Sequence, residues 1–253
     1  MLRVEGVSVR LKSMEILKDV TFELREGDLI ALLGPNGSGK STILRTLFGL
    51  LKPVNGVVYL DGKTVHGMKI QDVAKILGYL PQENSETNLR VIDVVLLGRT
   101  PYVGLTPSNK DLKIALEALE LVGLKDFENR YFSELSGGEK QKVMLARIFC
   151  QQTDFLLLDE PTSHLDIRSQ VEVMNIVKRM VDEGKAAIIA IHDINLAASF
   201  CNRILMVKNG RIAYAGKSSE VINPESIRDV FGVEVDVVRY NGRALVVPKD
   251  VMG

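Results

Sequence analysis

A chain of 253 residues with 46% hydrophobic content is long enough for one large domain or two small ones, and it can bury a sizeable core without staples. Its 32 basic and 32 acidic residues cancel, which excludes the strongly basic balance of a dedicated nucleic-acid binder. The longest apolar runs, such as residues 186–191, are far shorter than the roughly 18 to 20 residues that cross a bilayer. Residues 1–5 lack the basic and apolar regions of a signal peptide, so the chain is expected to stay in the cytoplasm or to reach a membrane only through a partner. Cys150 and Cys201 stand apart without ligand spacing and read as buried free thiols.

In chain order, residues 2–10 and 20–24 read as an antiparallel pair around a polar turn, Lys12-Ser13-Met14-Glu15. The apolar run 29–33 is a buried strand feeding a glycine loop, and a helix is expected from about Lys40. Lys52-Pro53-Val54-Asn55-Gly56 forms a turn before a strand at 57–60. Helical spacing then takes over through 91–97, 112–122 and 143–149, as in a helical lobe inserted between two sheet-forming halves. Next come strand 155–158, helix 171–180, strand 186–191, helix 196–200 and strand 204–207, an alternation that implies a parallel sheet covered by helices. Asn209-Gly210 turns into a strand at 211–215, and the tail holds helical stretches and a hairpin around Asn241-Gly242.

The stretch Gly34-Pro35-Asn36-Gly37-Ser38-Gly39-Lys40-Ser41-Thr42 lies between strand and helix, where a phosphate-binding loop belongs. Glycines let backbone N–H groups turn around an anion, and the positive end of the helix aims at the same point. Lys40 reaches terminal phosphates and Ser41 offers a hydroxyl to Mg²⁺. The strand at 155–158 runs into Asp159 and Glu160 at the carboxyl edge of the sheet, where open α/β sheets bind ligands. Asp159 is placed to hold Mg²⁺, and Glu160 to accept a proton from attacking water. His192 ends the next strand, where an imidazole can bridge the γ-phosphate and that water, while Asp193 reads as a helix cap. Ser136 and Glu139 have capping-box spacing, but the box leaves Gly137 and Gly138 unexplained, and a second anion site at this helix end follows.

With these motifs in order the chain resembles an ATP-binding cassette (ABC) ATPase, the motor subunit of ABC transporters, over nearly its whole length. The resemblance implies an α/β fold: a P-loop NTPase (RecA-like) core with an N-terminal antiparallel β subdomain and an inserted α-helical subdomain. One cassette then covers 1–253, with the helical part at about 83–152 and a family-specific tail at about 216–253. ATP and Mg²⁺ are the implied ligands, the metal held by Ser41, Gln82 and Asp159. The resemblance further implies that two cassettes pair head to tail, so that Ser136, Gly137, Gly138 and Glu139 of one would face the ATP held by the other, and Asp166 would cross the interface. Taken alone, Asp166 is also the N-cap of a helix starting near Ile167, and Gln82 a loop amide. The implied partners are membrane permease subunits and, through them, a substrate-binding protein, which puts the chain at the cytoplasmic face of the membrane.

Residues 96–102, 162–167, 192–197 and 215–232 are similar to the subgroup that imports ferric siderophores, haem and vitamin B12. Molybdate relatives share much of that pattern, so the cargo stays open between these classes. Two positions depart from the family. Leu11 stands where an aromatic ring usually stacks on adenine, which puts base selectivity in question, and Lys142 replaces a commoner arginine, keeping the charge but losing the planar fork. The rival readings are an ABC ATPase acting on nucleic acid, a cassette that no longer hydrolyses ATP, and a P-loop kinase or GTPase, which leaves 135–139 unexplained.

Overall fold

The structure is a computed structural model that describes residues 1–82, 87–104 and 106–249. The expected start of the helical subdomain at 83 and the end of the tail at 250–253 lie outside the described residues. Strands β1 (Leu2–Leu11) and β2 (Met14–Leu24) form the N-terminal hairpin, in register from Leu2 opposite Leu24 to Leu11 opposite Met14. Its turn is therefore only Lys12-Ser13, and Met14 and Glu15 belong to β2. Strand β3 (Leu29–Leu33) is buried at all five positions, as a parallel strand covered on both faces should be. It leads through the glycine loop to helix α1 (Lys40–Leu47).

Strands β4 (Asn55–Leu60) and β5 (Lys63–Thr64) extend the hairpin to a four-stranded sheet in the order β2-β1-β4-β5. Asn55 and Gly56, expected in a turn, already belong to β4, where Asn55 pairs with Ser8. The short helix α2 (Ile70–Val73) and strand β6 (Leu77–Leu80) were not evident in the sequence pattern. Helices α3 (Val91–Leu96), α4 (Asn109–Leu121) and α5 (Gly137–Cys150) pack together as the helical lobe, α4 starting at a Ser108–Asp111 capping box.

Strand β7 (Phe155–Asp159), helix α6 (Ile167–Asp182), strand β8 (Ala186–Ala190), helix α7 (Ile194–Phe200) and strands β9 (Arg203–Lys208) and β10 (Arg211–Lys217) complete a six-stranded sheet ordered β10-β9-β3-β8-β7-β6. It is parallel from β9 to β6, and β10 closes one edge antiparallel. Its faces serve two cores: Leu29, Ala31 and Leu33 point toward the helical lobe, while Ile30 and Leu32 meet α1 and the N-terminal sheet. Each such leucine or isoleucine contributes about 1.5–3 kcal/mol by full burial. The tail adds α8 (Ser218–Val221), α9 (Pro224–Phe231) and the hairpin β11 (Val235–Tyr240) with β12 (Arg243–Pro248).

Cys150 and Cys201 are buried and free, and burial pushes both thiols up to about 12, which keeps them unreactive. Among the described residues no helix is long and apolar enough to cross a membrane.

The helical lobe is pinned by Arg99. Its Nε donates to Asp111 Oδ1 at 2.9 Å, and its Nη1 donates to the Cys150 carbonyl at 2.9 Å and to Gln152 Oε1 at 3.2 Å. The guanidinium also lies 4.1 Å from the centroid of the Tyr102 ring. One side chain thus ties the segment after α3 to the start of α4 and the end of α5. Hydrogen bonds from Ser108, joined by Arg99, hold the Asp111 carboxyl down at about 2. Arg99→Met strands this carboxylate, and its urea midpoint is expected to fall well below that of Lys113→Met, which removes only an exposed helix pair with Glu117.

Candidate functional site

The glycine loop leaves the carboxyl end of β3 and returns as the first turn of α1. Lys40 is nearly fully buried, and its Nζ donates to the carbonyls of Gly34 at 2.8 Å and Pro35 at 3.2 Å, so the loop is wrapped around its own lysine. Burial pulls the Lys40 ammonium below its usual range, against the opposing charges of Glu160 and Asp159. Gly39 caps α1 at φ 112° with no side-chain hydrogen bond, which leaves the helix's first N–H groups for a ligand. A Cβ at Gly39 would stand 2.7 Å from Leu17 Cδ2 in a backbone region that favours glycine. Gly39→Ala is therefore expected to weaken nucleotide binding by about tenfold or more, since a residue forced into such a region costs on the order of 1–3 kcal/mol; displacement of a fluorescent nucleotide measures it.

Asp159, the last residue of β7, is 1% exposed. Its Oδ1 accepts the Ser41 hydroxyl at 2.9 Å, and its Oδ2 is buried without a partner. Burial raises its pKa, Glu160 adds to the rise, and Ser41, Arg45 and Lys40 oppose it. A serine hydroxyl, a carboxylate with one unpaired buried oxygen and the Gln82 amide nearby form an all-oxygen donor set that fits a hard cation such as Mg²⁺.

Glu160 follows with φ 52°, a strained value for a non-glycine residue and one that aims its carboxylate into the same space. Its backbone N–H donates to the Ala190 carbonyl at 3.0 Å, and its own carbonyl accepts the Ser163 hydroxyl at 2.9 Å. Oε2 accepts from Gln82 Nε2 at 2.7 Å, and Oε1 lies 2.5 Å from His192 Nε2. The structure thus brings Gln82, Glu160 and His192 together from β6, β7 and β8, each just past the carboxyl end of its strand.

The glycine loop, these three residues and the hairpin residues Leu11 and Ile16 line one cavity of about 790 Å³, a volume suited to a nucleotide. Leu11 therefore faces the cavity as a half-exposed aliphatic side chain. Ser163 and His164, from the 162–167 stretch singled out in the sequence, also line it, whereas Ile16 had no signal there because it is an ordinary strand residue.

Residues 136–139 do not line this cavity. Ser136 caps α5, its hydroxyl accepting the Glu139 N–H at 3.4 Å and donating to Glu139 Oε2 at 2.7 Å, which holds the Glu139 carboxyl below its usual range. Asp166 caps α6 by accepting the Ser169 N–H at 2.9 Å, and Asp193 caps α7 through the Leu196 N–H at 2.9 Å. Gly137, which opens α5, has open space where a Cβ would be.

Comparison with known proteins follows the same lines. Residues 17–163 match the ABC transporter family. The chain is 40% identical over 248 residues to the uncharacterized ABC transporter ATP-binding protein MJ0089 of Methanocaldococcus jannaschii, covering 98% of this chain and 97% of the relative. It is 40% identical over 239 residues to the petrobactin import ATP-binding protein FpuC of Bacillus anthracis, covering 93% and 88%. A hemin import ATP-binding protein, HmuV of Rhizobium etli, is 40% identical over 241 residues, covering 92% and 90%. Among solved structures, one described as a metal-chelate type ABC transporter in an inward-facing conformation superposes with a TM-score of 0.86 at 26% identity, covering 98% of this chain and 97% of that one. The dimeric cassette MJ0796 bound to ADP and Pi gives 0.77 at 30% identity, covering 86% and 99%. Sequence relatives and structural neighbours span nearly the whole chain and agree with the phosphate loop and the carboxylate edge beside it: the chain belongs to the ABC transporter family, as an ATP-binding subunit that hydrolyses ATP.

Proposed function

We propose that this chain is the motor subunit of an importer for a ferric siderophore, haem or cobalamin, working as a pair of cassettes on the cytoplasmic face of a membrane permease. The observation that carries its hydrolytic part is Glu160, held between Gln82 and His192 next to the unpaired buried oxygen of Asp159. The import of petrobactin and hemin by relatives about 40% identical supports the cargo class. Balanced charge favours a permease over nucleic acid as the partner.

In this reading residues 34–42 bind the phosphates through backbone N–H groups and Lys40, and Leu11 packs on the base. Ser41, Gln82 and Asp159 would hold Mg²⁺, which when bound supplies charge neutralisation at the phosphates. Glu160 accepts a proton from water, and His192 orients that water and the terminal phosphate. Each Glu160 oxygen takes part in one hydrogen bond, with Gln82 or His192, which fixes the carboxylate while a second lone pair on each oxygen stays available to water. Ser136, Gly137, Gly138 and Glu139 of a second copy complete the site and Asp166 lines the shared face; the dimeric relative with ADP and Pi supports this pairing. Dimer closure and opening then drive the permease, which receives cargo from a binding protein.

The test is reconstitution with the neighbouring permease in proteoliposomes. ATP-dependent uptake of one of radiolabelled ferric siderophore, haem or cobalamin is expected. Uptake of molybdate alone, or co-purification with nucleic acid in place of the permease, overturns the reading.

A further inference from the structure

Helices α5 and α6 begin side by side, although one belongs to the helical lobe and the other covers the six-stranded sheet. A Cβ at Gly138 would stand 2.8 Å from Ser169 Oγ, so the two first turns touch with no room for a side chain between them. Ser169 in turn donates its hydroxyl to Asp166 Oδ2 at 2.9 Å. One turn further, Lys142 of α5 reaches Glu172 Oε2 of α6 at 2.6 Å, and Arg168 holds the other oxygen, Oε1, at 2.9 Å. The side chains of Lys142 and Glu172 are 20% and 34% exposed, which places the pair in a seam, while Arg168 is 89% exposed. Lys142, with Arg168 second, holds the Glu172 carboxylate below its usual range.

The α6 end of this contact continues to the hydrolytic carboxylate. Ser163 closes a turn on the Glu160 carbonyl through both its N–H, at 3.2 Å, and its hydroxyl, at 2.9 Å. Three residues later Asp166 caps α6. The loop that positions Glu160 is therefore short and fixed at both ends, and its far end is the helix that Lys142 grips.

We propose that Lys142 and Glu172 form a clamp that makes the start of α5 and the start of α6 move as one body, so that the orientation of Ser136 to Gly138 toward a second copy is set by the same chain's loop between Glu160 and Asp166. Lys142 is in this sense a positioning residue for the paired site: it touches no nucleotide but fixes the angle at which one chain presents its half of the site to the other. The clamp rests on the paired-cassette reading and adds to it the residues that couple the two half-sites inside one chain. The ion pair sits at the rim of the apolar core that α5 and α6 share, where it adds a directional link between their first turns. Arginine at 142 would keep the charge, whereas methionine keeps the aliphatic stem and loses the link.

The experiment compares Lys142→Met, Lys142→Arg, Glu172→Gln and the Lys142→Met/Glu172→Gln double variant. In the Glu160→Gln background, sedimentation with Mg-ATP is expected to show about tenfold weaker dimerisation for Lys142→Met. Two clamps act per dimer, so about tenfold overall corresponds to about threefold for each. Glu172→Gln is expected to match it, the double variant to be no worse than either single one, and Lys142→Arg to dimerise like its parent. With Glu160 intact, the Hill coefficient for ATP hydrolysis should fall in Lys142→Met while nucleotide affinity of the dilute monomer stays unchanged. Dimerisation of Lys142→Met as tight as its parent overturns the clamp, as does a parallel loss of monomer nucleotide affinity and melting temperature, which marks a purely structural contact. If the Glu160→Gln chain forms no ATP-dependent dimer even with Lys142 present, the paired reading itself fails and takes the clamp with it.

Discussion

Glu160→Gln is expected to lower ATP hydrolysis by about two to four orders of magnitude, the range a general base contributes, while ATP binding is retained and an ATP-bound dimer accumulates. The reason lies in what an amide keeps and what it loses. A glutamine side chain at 160 can still accept from Gln82 Nε2 with its oxygen, and its NH₂ can donate to His192 Nε2, reversing the direction of that bond, when the neutral imidazole carries its proton on Nδ1. The strained backbone at φ 52° is unchanged, because the contacts from Ser163 and to Ala190 involve only main-chain atoms of residue 160. Lys40 and the loop N–H groups, to which the proposed function assigns phosphate binding, are untouched. What disappears is the ability to take a proton from water. Phosphate release and size-exclusion chromatography with Mg-ATP separate the two effects, and hydrolysis at the wild-type rate would remove Glu160 from its assigned role.

The parts of this site that were legible in the sequence are those whose chemistry is contained in neighbouring residues. The phosphate loop must be spelled contiguously between a buried strand and a helix, and Asp159-Glu160 must follow an apolar strand. Caps such as Ser136, Asp166 and Asp193 are equally local, because each needs only the N–H three residues on. Strand β6 was missed because it is four residues long with Gly78 at its second position. That glycine is explained only by the fold, since a Cβ there would meet Ile148 Cγ2 at 2.7 Å and Thr153 Oγ1 at 2.9 Å. Arg99 shows the same limit: its partners Asp111, Cys150 and Gln152 lie 12, 51 and 53 residues away, and no periodicity records such a convergence. Lys142 could be noted as a charge after the helix start, but its partner on α6 exists only once the lobe has docked.

Asp159→Asn is expected to cut hydrolysis by about 10²–10³, the loss that follows removal of one charge-stabilising group at a phosphoryl site, and at the same time to make the nucleotide-free chain more stable. Burial raises the Asp159 pKa in the folded state, so the folded chain binds that proton more tightly than the unfolded chain does. The favourable contribution is fully present below the unfolded value of about 3.9 and is lost as pH rises through the raised folded value. Above the raised value the group is a charged carboxylate with a buried oxygen that has no hydrogen-bond partner in the chain, a net cost to the fold. Asparagine carries no charge at any pH and removes the charged part of that cost, while its oxygen can still accept the Ser41 hydroxyl. Thermal unfolding without nucleotide should place the variant above the wild type at pH 7 to 8, by about 2–4 °C for each kcal/mol recovered, and the gap should close as pH falls toward the carboxylate range. With Mg-ATP present the order should reverse, because the wild type, with its metal ligand intact, binds Mg-ATP more tightly and gains more stabilisation from it. A variant that melts below the wild type at every pH without nucleotide would show that the attractions to Lys40, Arg45 and Ser41 outweigh burial, and that Asp159 supports the empty fold as well as the reaction.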